Sequence, residues 1–356
     1  MMIEIDGSEG EGGGQIIRSS LALAAVTGKP VRLNNIRAGR SKPGLLRQHL
    51  TGVKAIAEIA GGEMVGADLG SCELTFTPGK VRGGDYQYQV GSAGSAILVA
   101  QTVLPALLMS GTAATVTIDG GTHASWAPPF DFFERCFLPL VNQMGANVTA
   151  TIAAHGFYPA GGGEITVVVN PTLGLRGIEL VDRVGDMRPR VTALVSKIPT
   201  SVGDRECDVI RRKADWNADV CEVIDVAKSG GPGNSVMIEC QFDNVTELFV
   251  GFGKIGVRAE QVARSTLREA RKYLVSDVPV GPYLADQLLM PAGLAASRGH
   301  TSRFRTTTLT QHSLTHIEVL KRFLDIRIDT TTCDDESVEV AVCPSGQGCC
   351  LSERAN

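Results

Sequence analysis

The stretch DGSEGEGGGQIIR, from Asp6 to Arg18, sets the pattern on which the rest of the chain is built. The alternating run 3–5 before it predicts a short strand, and the apolar run that starts at Ile16 predicts a helix. Five glycines fall between residues 7 and 14, and glycine permits positive φ and close backbone approach. A strand, a glycine-rich turn and a helix in this order direct backbone N–H groups at an anion.

This turn differs from the two common nucleotide-binding loops. No G-x-G-x-x-G register fits it, and no Gly-Lys-Ser/Thr ends it. It contains two acids, Glu9 and Glu11, and carboxylates beside phosphates are unfavourable unless a cation such as magnesium lies between them. Spacing alone does not choose between the two acids, and a turn that only connects two elements is also open. Arg18, one turn into the helix, favours a phosphate site.

Composition limits the class of protein. A chain of 356 residues is long enough for two domains, and 43% hydrophobic with 20% charged residues is typical of a soluble globular protein. The formal net charge of −4 argues against a protein that coats nucleic acid non-specifically. Any contact with RNA or DNA should therefore be local.

The cysteines and the N-terminus indicate the compartment. The nine cysteines show no paired C-x-x-C spacing, and the first residues contain neither a basic region nor an apolar run. We therefore expect reduced thiols and a cytoplasmic location. The longest apolar stretch, 97–109, is interrupted by Gln101 and is too short to span a bilayer, so no membrane association is expected.

An internal repeat organises the chain. Three pairs of glycines recur at nearly one interval: Gly28 and Gly111 are 83 residues apart, Gly39 and Gly121 are 82 apart, and Gly62 and Gly145 are 83 apart. The helical runs 282–297 and 312–326 begin a third copy. Residues 182–276 do not follow the template and alternate predicted strands with helices. The predicted organisation is a large discontinuous domain (1–181 and 277–343), an inserted domain (182–276) and a mobile tail (344–356).

Seven strings carry a resemblance to a known family. They are DGSEGEGGGQIIR, IRAGRSKPGLLRQHL (36–50), GSAGSAILVAQTVLP (91–105), GGTHASWAPPFDFF (120–133), HGFYPAGGG (155–163), GPGN (231–234) and YLADQLL (283–289). Together, and in this order over nearly the whole chain, they closely resemble the RNA 3′-terminal phosphate cyclases. The resemblance implies an α/β (α+β) fold. Three repeated units of a β-sheet with two helices would form a large domain, with a smaller inserted α/β domain.

The resemblance also implies a reaction. A terminal phosphate monoester is a poor electrophile, and joining it to AMP supplies a leaving group. ATP would adenylylate a histidine, AMP would pass to an RNA 3′-phosphate, and the neighbouring 2′-hydroxyl would displace AMP to leave a 2′,3′-cyclic phosphate. The implied partners are ATP, a divalent cation (Mg or Mn) and RNA with a 3′-phosphate end. No obligatory protein partner is evident.

The resemblance assigns site residues. His312, in LTQHSLT, matches the nucleophile, and Glu11 matches the metal-side carboxylate. Pro128 and Tyr283 match the pair that sandwiches adenine. The nucleotide-binding set is completed by Arg18, Arg40, Gln48, Gln101, Leu284, Ala285, Asp286 and Gln287.

Other interpretations of the same residues stay open. Without the resemblance, His312 would be a solvated residue at a helix start, and the chain offers five further histidines. The family often has asparagine where this sequence has His316. His155 is expected to be structural. Arg37, Lys42 and Arg47 are either surface charges or contacts to the RNA backbone.

Two other classes of function are carried beside the cyclase. One is an RNA-binding, ribosome-assembly factor related to the cyclases but lacking the nucleophile, which the presence of His312 and Glu11 disfavours. The other is an enolpyruvyl transferase, which uses related repeat units without a covalent histidine. Labelling of the protein by ATP would separate the cyclase from both.

Overall fold

The computed structural model describes residues 1–346. Within these residues, four four-stranded sheets and the helices packed on them make a mixed α+β fold, which confirms the predicted fold class. The predicted mobile tail begins at Pro344, which instead closes the last strand. Residues 347–356 lie outside the described part of the chain.

The first unit contains the glycine-rich turn. Its elements are β1 (Ile3–Asp6), α1 (Gly14–Thr27), β2 (Val31–Asn34), α2 (Arg47–Ile59), β3 (Glu63–Val65) and β4 (Leu74–Thr77). The strand order is β1-β2-β4-β3, with β1 parallel to β2 and the other pairs antiparallel. Alternate residues of these strands are buried, as expected for a sheet covered on one face by helices.

The second unit repeats this topology. Its elements are β5 (Gly84–Gln89), α3 (Ala96–Ser110), β6 (Ala114–Gly120), α4 (Phe130–Phe132), a π-helical turn (Phe133–Phe137), α5 (Leu138–Gln143), β7 (Val148–Ala154) and β8 (Gly163–Val169). The strand order β5-β6-β8-β7 again has one parallel pair followed by two antiparallel pairs. The glycines that recur at intervals of 82 and 83 residues therefore mark a repeat of strand order and strand pairing.

A third unit begins with β9 (Glu179–Leu180) and is then interrupted. The interrupting segment contains β10 (Arg188–Ser196), α6 (Ser201–Ala214), a 3₁₀ turn (Ala218–Val220), β11 (Cys221–Asp225), β12 (Gly233–Gln241), β13 (Thr246–Phe252) and α7 (Ala259–Val275). Its sheet has the order β11-β10-β12-β13 and does not share the repeat topology. We call this segment the insert. Its treatment as a separate domain, 182–276, stays a prediction.

The third unit resumes after the insert with α8 (Pro282–Ala296), β14 (Ser302–Thr306), α9 (Gln311–Phe323), β15 (Ile326–Thr332) and β16 (Val338–Pro344). β9 pairs parallel with β14, β14 antiparallel with β16, and β16 antiparallel with β15. This is the topology of the first two units. The insert therefore enters the third unit between its first strand and its first helix.

Packing between units positions the site. α1 packs against α2, α3 and α9, and α8 packs against α9. The buried faces of these helices are rich in Leu, Ile and Ala and belong to one core cluster. As a result, side chains near the starts of α1, α8 and α9 meet although they come from the first and third units.

Two expectations from the sequence, reduced thiols and no membrane-spanning helix, concern residues that the structure describes. Six cysteines are free thiols: Cys72, Cys136, Cys207, Cys221, Cys240 and Cys333. Cys343 is disulfide-bonded, so the expectation of reduced thiols is wrong at that position. Within residues 1–346, no helix combines the length and the apolar character needed to cross a bilayer.

Candidate active site

The glycine-rich turn between β1 and α1 fits closely against α9. Gly10 and Gly12 have φ of 58° and 60°, the left-handed conformation that glycine adopts without strain. A Cβ on Gly10 would collide with Thr315, and the Glu11 N–H donates to Thr315 Oγ1 at 3.0 Å. This hydrogen bond ties the turn to the helix that carries His312.

The two acids of the turn have different surroundings. The Glu11 side chain is only 13% exposed, and its Oε1 contacts Arg40 and lies 3.8 Å from His312 Nε2. Glu11 Oε2 is buried without a hydrogen-bond partner among the described residues. The Glu9 side chain is 60% exposed and pairs with Arg322 at 3.2 Å. The structure therefore brings Glu11, and not Glu9, to His312.

Gln15 and Asp286 set the protonation of His312. His312 follows the N-cap of α9, where the Thr310 hydroxyl accepts from the Ser313 N–H. Gln15 Nε2 donates to Asp286 Oδ1 at 2.5 Å, so Gln15 Oε1 is the atom 3.0 Å from His312 Nδ1. Because an amide oxygen only accepts, Nδ1 carries the imidazole proton. Nε2 therefore keeps its lone pair and faces the Glu11 side.

Burial, with help from nearby cations, keeps the imidazole of His312 neutral. Burial lowers the pKa of His312, and Arg18 and Arg40 lower it further, although the Asp286 carboxylate opposes them. Burial also disfavours ionisation of Asp286, but hydrogen bonds from His316 and Gln15 hold its pKa below the usual value. At neutral pH the site thus holds an ionised Asp286 and a neutral His312. A neutral imidazole nitrogen can act as a nucleophile.

Cationic and N–H groups surround the start of α1. Burial lowers the pKa of Arg18 to about 10, so it is charged at pH 7, and no described carboxylate lies within ion-pair distance of it. Arg40 donates to the Glu11 carbonyl at 2.8 Å. Burial, with help from Arg37 and Arg18, lowers the pKa of His49 to about 3, so this imidazole is neutral. These groups and the N-terminus of α1 make a subsite suited to phosphate oxygens.

The orientation of His49 follows from its backbone contact. The Leu46 N–H donates to His49 Nδ1 at 3.1 Å, so the proton of the neutral ring sits on Nε2. A Cβ on Gly14 would lie 2.5 Å from that Nε2. Glycine at this position therefore lets a neutral N–H donor reach the start of α1.

Two glutamines complete the polar lining. Gln48 Oε1 accepts from the Ser95 N–H at 3.0 Å, and its NH₂ group has no hydrogen bond among residues 1–346. Gln101 Nε2 donates to Gln287 Oε1 at 2.6 Å and links α3 to α8. The half-buried amide of Gln101 thus has the partner that its position in an apolar helix requires.

These residues line one cleft of about 1440 Å³ between the repeat units and the insert. Its walls include Pro128 and Tyr283, and the Tyr283 side is open because this residue is 72% exposed. All the sequence-predicted site residues line the cleft except Leu284 and Ala285, which are 0% and 1% exposed. Those two lie on the core face of α8, whereas residues 283, 286 and 287 share the opposite face. Their assignment to the nucleotide-binding set stays a prediction.

Arg37 and His155, which the sequence also offered as candidates, make contacts within the protein. Arg37 donates to the carbonyls of Lys42 and Gly44 at 2.6 and 2.9 Å and so holds its own loop. His155 stacks on His123, with ring centroids 5.2 Å apart, and burial lowers the pKa of His155 to about 4. Lys42 and Arg47 are not among the residues that line the cleft.

Three site residues were not predicted from sequence as parts of the site: Gln15, His49 and Thr315. Gln15 offered a signal, because it is a polar residue at the start of an otherwise apolar helix and is buried. Its partners lie 271 and 297 positions away, and no local pattern identifies them.

Comparison with known proteins finds one family and several similar chains. The model of the family "RNA 3'-terminal phosphate cyclase" matches residues 9–330. A protein of that name from Salmonella enteritidis PT4 (strain P125109) is 46% identical over 326 residues, which cover 92% of this chain and 94% of that protein. Its namesake from Koribacter versatilis (strain Ellin345) is 44% identical over 328 residues, 92% of this chain and 91% of its own. Another from Ectopseudomonas mendocina (strain ymp) is 44% identical over 338 residues, 95% and 97% of the two chains.

Proposed function

Since the chain belongs to the RNA 3′-terminal phosphate cyclase family, we propose that it is an ATP-dependent enzyme that converts an RNA 3′-terminal phosphate into a 2′,3′-cyclic phosphodiester. Family membership supports the overall reaction and the use of RNA and ATP. The order of covalent steps and the roles of individual residues are our own inference from the cleft.

One observation carries the proposal. His312 Nδ1 donates to Gln15 Oε1, so the lone pair of Nε2 is free at a point 3.8 Å from Glu11 Oε1 and beside the phosphate subsite of Arg18 and Arg40. A solvated histidine at a helix start would not need a buried glutamine and an ionised aspartate behind it. This arrangement suits a nucleophile.

In the first step, His312 Nε2 attacks the α-phosphorus of ATP. The new N–P bond forms as the bond from phosphorus to the β-phosphate oxygen breaks, and pyrophosphate leaves with that electron pair. Arg18, Arg40 and the His49 Nε2–H face the phosphates and offset the charge that develops on their oxygens. The positive charge of the adenylylated ring is stabilised through the Nδ1–H, Gln15 and ionised Asp286 chain.

A divalent cation fits Glu11. Among the described residues there is no cluster of three or more metal-binding side chains, so these residues do not form a metal cage of their own. Glu11 does present a buried Oε2 that lacks a protein partner. One carboxylate with substrate phosphate oxygens is the usual environment of magnesium in nucleotide sites. When bound, the ion would stabilise the charge on the phosphates.

The later steps need RNA. A 3′-phosphate oxygen attacks the phosphorus of His312-AMP, the N–P bond breaks and the imidazole is released with Nε2 unprotonated. The neighbouring 2′-oxygen then attacks the 3′-phosphorus, loses its proton and displaces AMP. Adenine would lie between Pro128 and Tyr283, because flat apolar and aromatic surfaces suit a purine face.

The test uses RNA that is labelled at its 5′ end and phosphorylated at its 3′ end. Incubation with the protein, ATP and a magnesium salt should make the terminal phosphate resistant to phosphatase, and acid should restore its sensitivity. Full phosphatase sensitivity after incubation, with a folded protein, would contradict the proposal. That result would favour the RNA-binding factor or the transferase.

A further inference from the structure

Helix α7 of the insert has two exposed sides with different surroundings. Gln261, Ser265 and Glu269 line the cleft described above. On the other side, Arg264 and Arg268 line a second groove of about 600 Å³. We call it the basic groove; its cationic residues are Lys213, Arg264, Arg268, Arg271 and Lys272.

The basic groove continues from the cleft. Lys272 lines both, so the groove and the cleft adjoin at the last turns of α7. The helix has 17 residues and is therefore about 25 Å long, enough to accompany several nucleotides of an extended strand. A nucleic-acid strand whose end lies in the cleft can therefore leave the cleft along this helix.

The charge of the groove contrasts with that of the whole chain. Five of its eight lining residues are cationic, and none of these described residues is acidic. The chain as a whole has a formal net charge of −4. A local concentration of positive charge on an acidic protein is the electrostatic footprint expected of a polyanion site.

Three of these cations, Arg264, Arg268 and Lys272, are available to a ligand. Among the described contacts, Arg264 has no ion pair or hydrogen bond to another side chain. Arg268 and Lys272 pair with Glu269 at 3.5 and 3.2 Å, but their side chains are 67% and 68% exposed. Ion pairs exposed to this extent contribute little to stability. They can be exchanged for contacts to phosphate at little cost.

We propose that the basic groove binds the phosphate backbone of the RNA upstream of its 3′-terminal phosphate. The proposal rests on the proposed function, because it takes the strand that the cleft must accept and follows it outward. Contacts to phosphates position a strand without reading its sequence. The groove would therefore make the enzyme prefer longer 3′-phosphorylated ends to a dinucleotide, independently of base sequence.

The test compares two double variants that remove the same charge. Arg264→Gln with Arg268→Gln neutralises the groove. Arg188→Gln with Arg190→Gln is the control, because these exposed arginines of β10 belong to the insert but line neither the cleft nor the groove. Binding of a 3′-phosphorylated dodecanucleotide and of a dinucleotide is measured by fluorescence anisotropy across a salt titration. Formation of the protein–AMP adduct from ATP, without RNA, is measured in parallel by intact mass.

The groove variant should bind the dodecanucleotide about 25-fold more weakly at 0.1 M salt, with a salt slope lower by about 1.4, since each contact to a single strand contributes about 0.7. Its dinucleotide affinity and its AMP adduct should match those of the parent, and the control variant should match the parent throughout. Equal dodecanucleotide affinity and slope in groove variant and parent would overturn the proposal. So would a parent that binds both RNAs equally. Absence of the AMP adduct from every protein would instead count against the proposed function.

Discussion

His312 Nδ1 and Gln15 Oε1 lie 3.0 Å apart although 297 positions separate these residues in the chain. The second hydrogen bond of Gln15, to Asp286, fixes which end of its amide faces the histidine. A glutamine in the first turn of α1 thereby decides which nitrogen of an imidazole on α9 is free. The repeat architecture makes this possible by packing α1 of the first unit against α9 of the third.

The first prediction concerns Gln15. Gln15→Met keeps the length of the side chain and removes both hydrogen bonds. The tautomer of His312 is then no longer fixed, and Asp286 loses one hydrogen-bond donor. Breaking such buried contacts costs about 1–3 kcal/mol, which corresponds to a roughly 5- to 150-fold slower adenylylation of His312. Single-turnover formation of the AMP adduct measures this rate. Gln143→Met, at an exposed site on α5, is the control; an unchanged rate in Gln15→Met would contradict the role.

The second prediction separates the two acids of the glycine-rich turn. Glu11→Gln should slow adduct formation strongly and shift its magnesium dependence to higher concentration, because a carboxylate beside the phosphates is lost. Glu9→Gln should leave both unchanged, because Glu9 is exposed and paired with Arg322. A magnesium titration of the rate for both variants checks this. Identical titrations for Glu11→Gln and the parent would remove Glu11 from the cation site.

The third prediction concerns pH. Only neutral His312 can attack phosphorus, and burial, Arg18 and Arg40 lower its pKa. The rate of adenylylation should therefore fall as pH decreases through a value below the ordinary histidine pKa of about 6.5. Arg40→Gln removes one of the charges that lower the pKa of His312. The pH at which the rate falls should therefore be higher in this variant, whatever happens to the maximal rate. A fall in rate at the same pH as in the parent, or at a lower pH, would contradict this electrostatic account for Arg40→Gln.

The fourth prediction concerns a carboxyl that joins the insert to α8. Glu247 on β13 accepts from the N–H of Gly281, the N-cap of α8, at 2.5 Å, and burial raises the pKa of Glu247 to about 8. The folded state thus binds this proton more tightly than the unfolded state does. Stability from this group is present at low pH and is lost as pH rises from about 4 toward about 8.

Glu247→Gln keeps an acceptor for Gly281 and cannot ionise. The variant should therefore gain stability relative to the parent as pH rises from 5 to 8, by up to about 1.4 kcal/mol per pH unit. Tm values of both proteins across this range measure the difference. A Tm difference that does not change with pH, or that changes in favour of the parent, would contradict the prediction.

Sequence patterns predicted the architecture better than its details. The glycine interval near 83 residues reports the repeat because Gly28 and Gly111 end equivalent helices in the left-handed conformation. Several strands were not predicted, and for two of them the physical reason is clear. β9 has only two residues, too few to show alternation, and β11 is a mostly half-exposed strand, so its apolar pattern is weak.

Site residues likewise could be predicted where a motif carries them and not where only tertiary packing brings them together. Glu11, Arg18 and His312 could be named because motifs carry them. Leu284 and Ala285 were named because the motif is a continuous string. The spacing of a helix places Tyr283, Asp286 and Gln287, which are three and four positions apart, on the side that faces the cleft. The contacts of Gln15 and of Thr315 depend on tertiary packing over about 300 residues, which no local pattern encodes.

The central claim is that His312 is the covalent carrier of AMP, and His312→Ala tests it most directly. The parent incubated with ATP and magnesium should gain one AMP by intact mass, as a phosphoramidate that is labile in acid and stable in base. His312→Ala should gain none, yet should still cyclise RNA that already carries a 3′-adenylylated phosphate, because that step needs no histidine nucleophile. This retained activity shows that the variant is folded. An AMP adduct on His312→Ala would contradict the claim and make His316, the next histidine along α9, the first candidate to test.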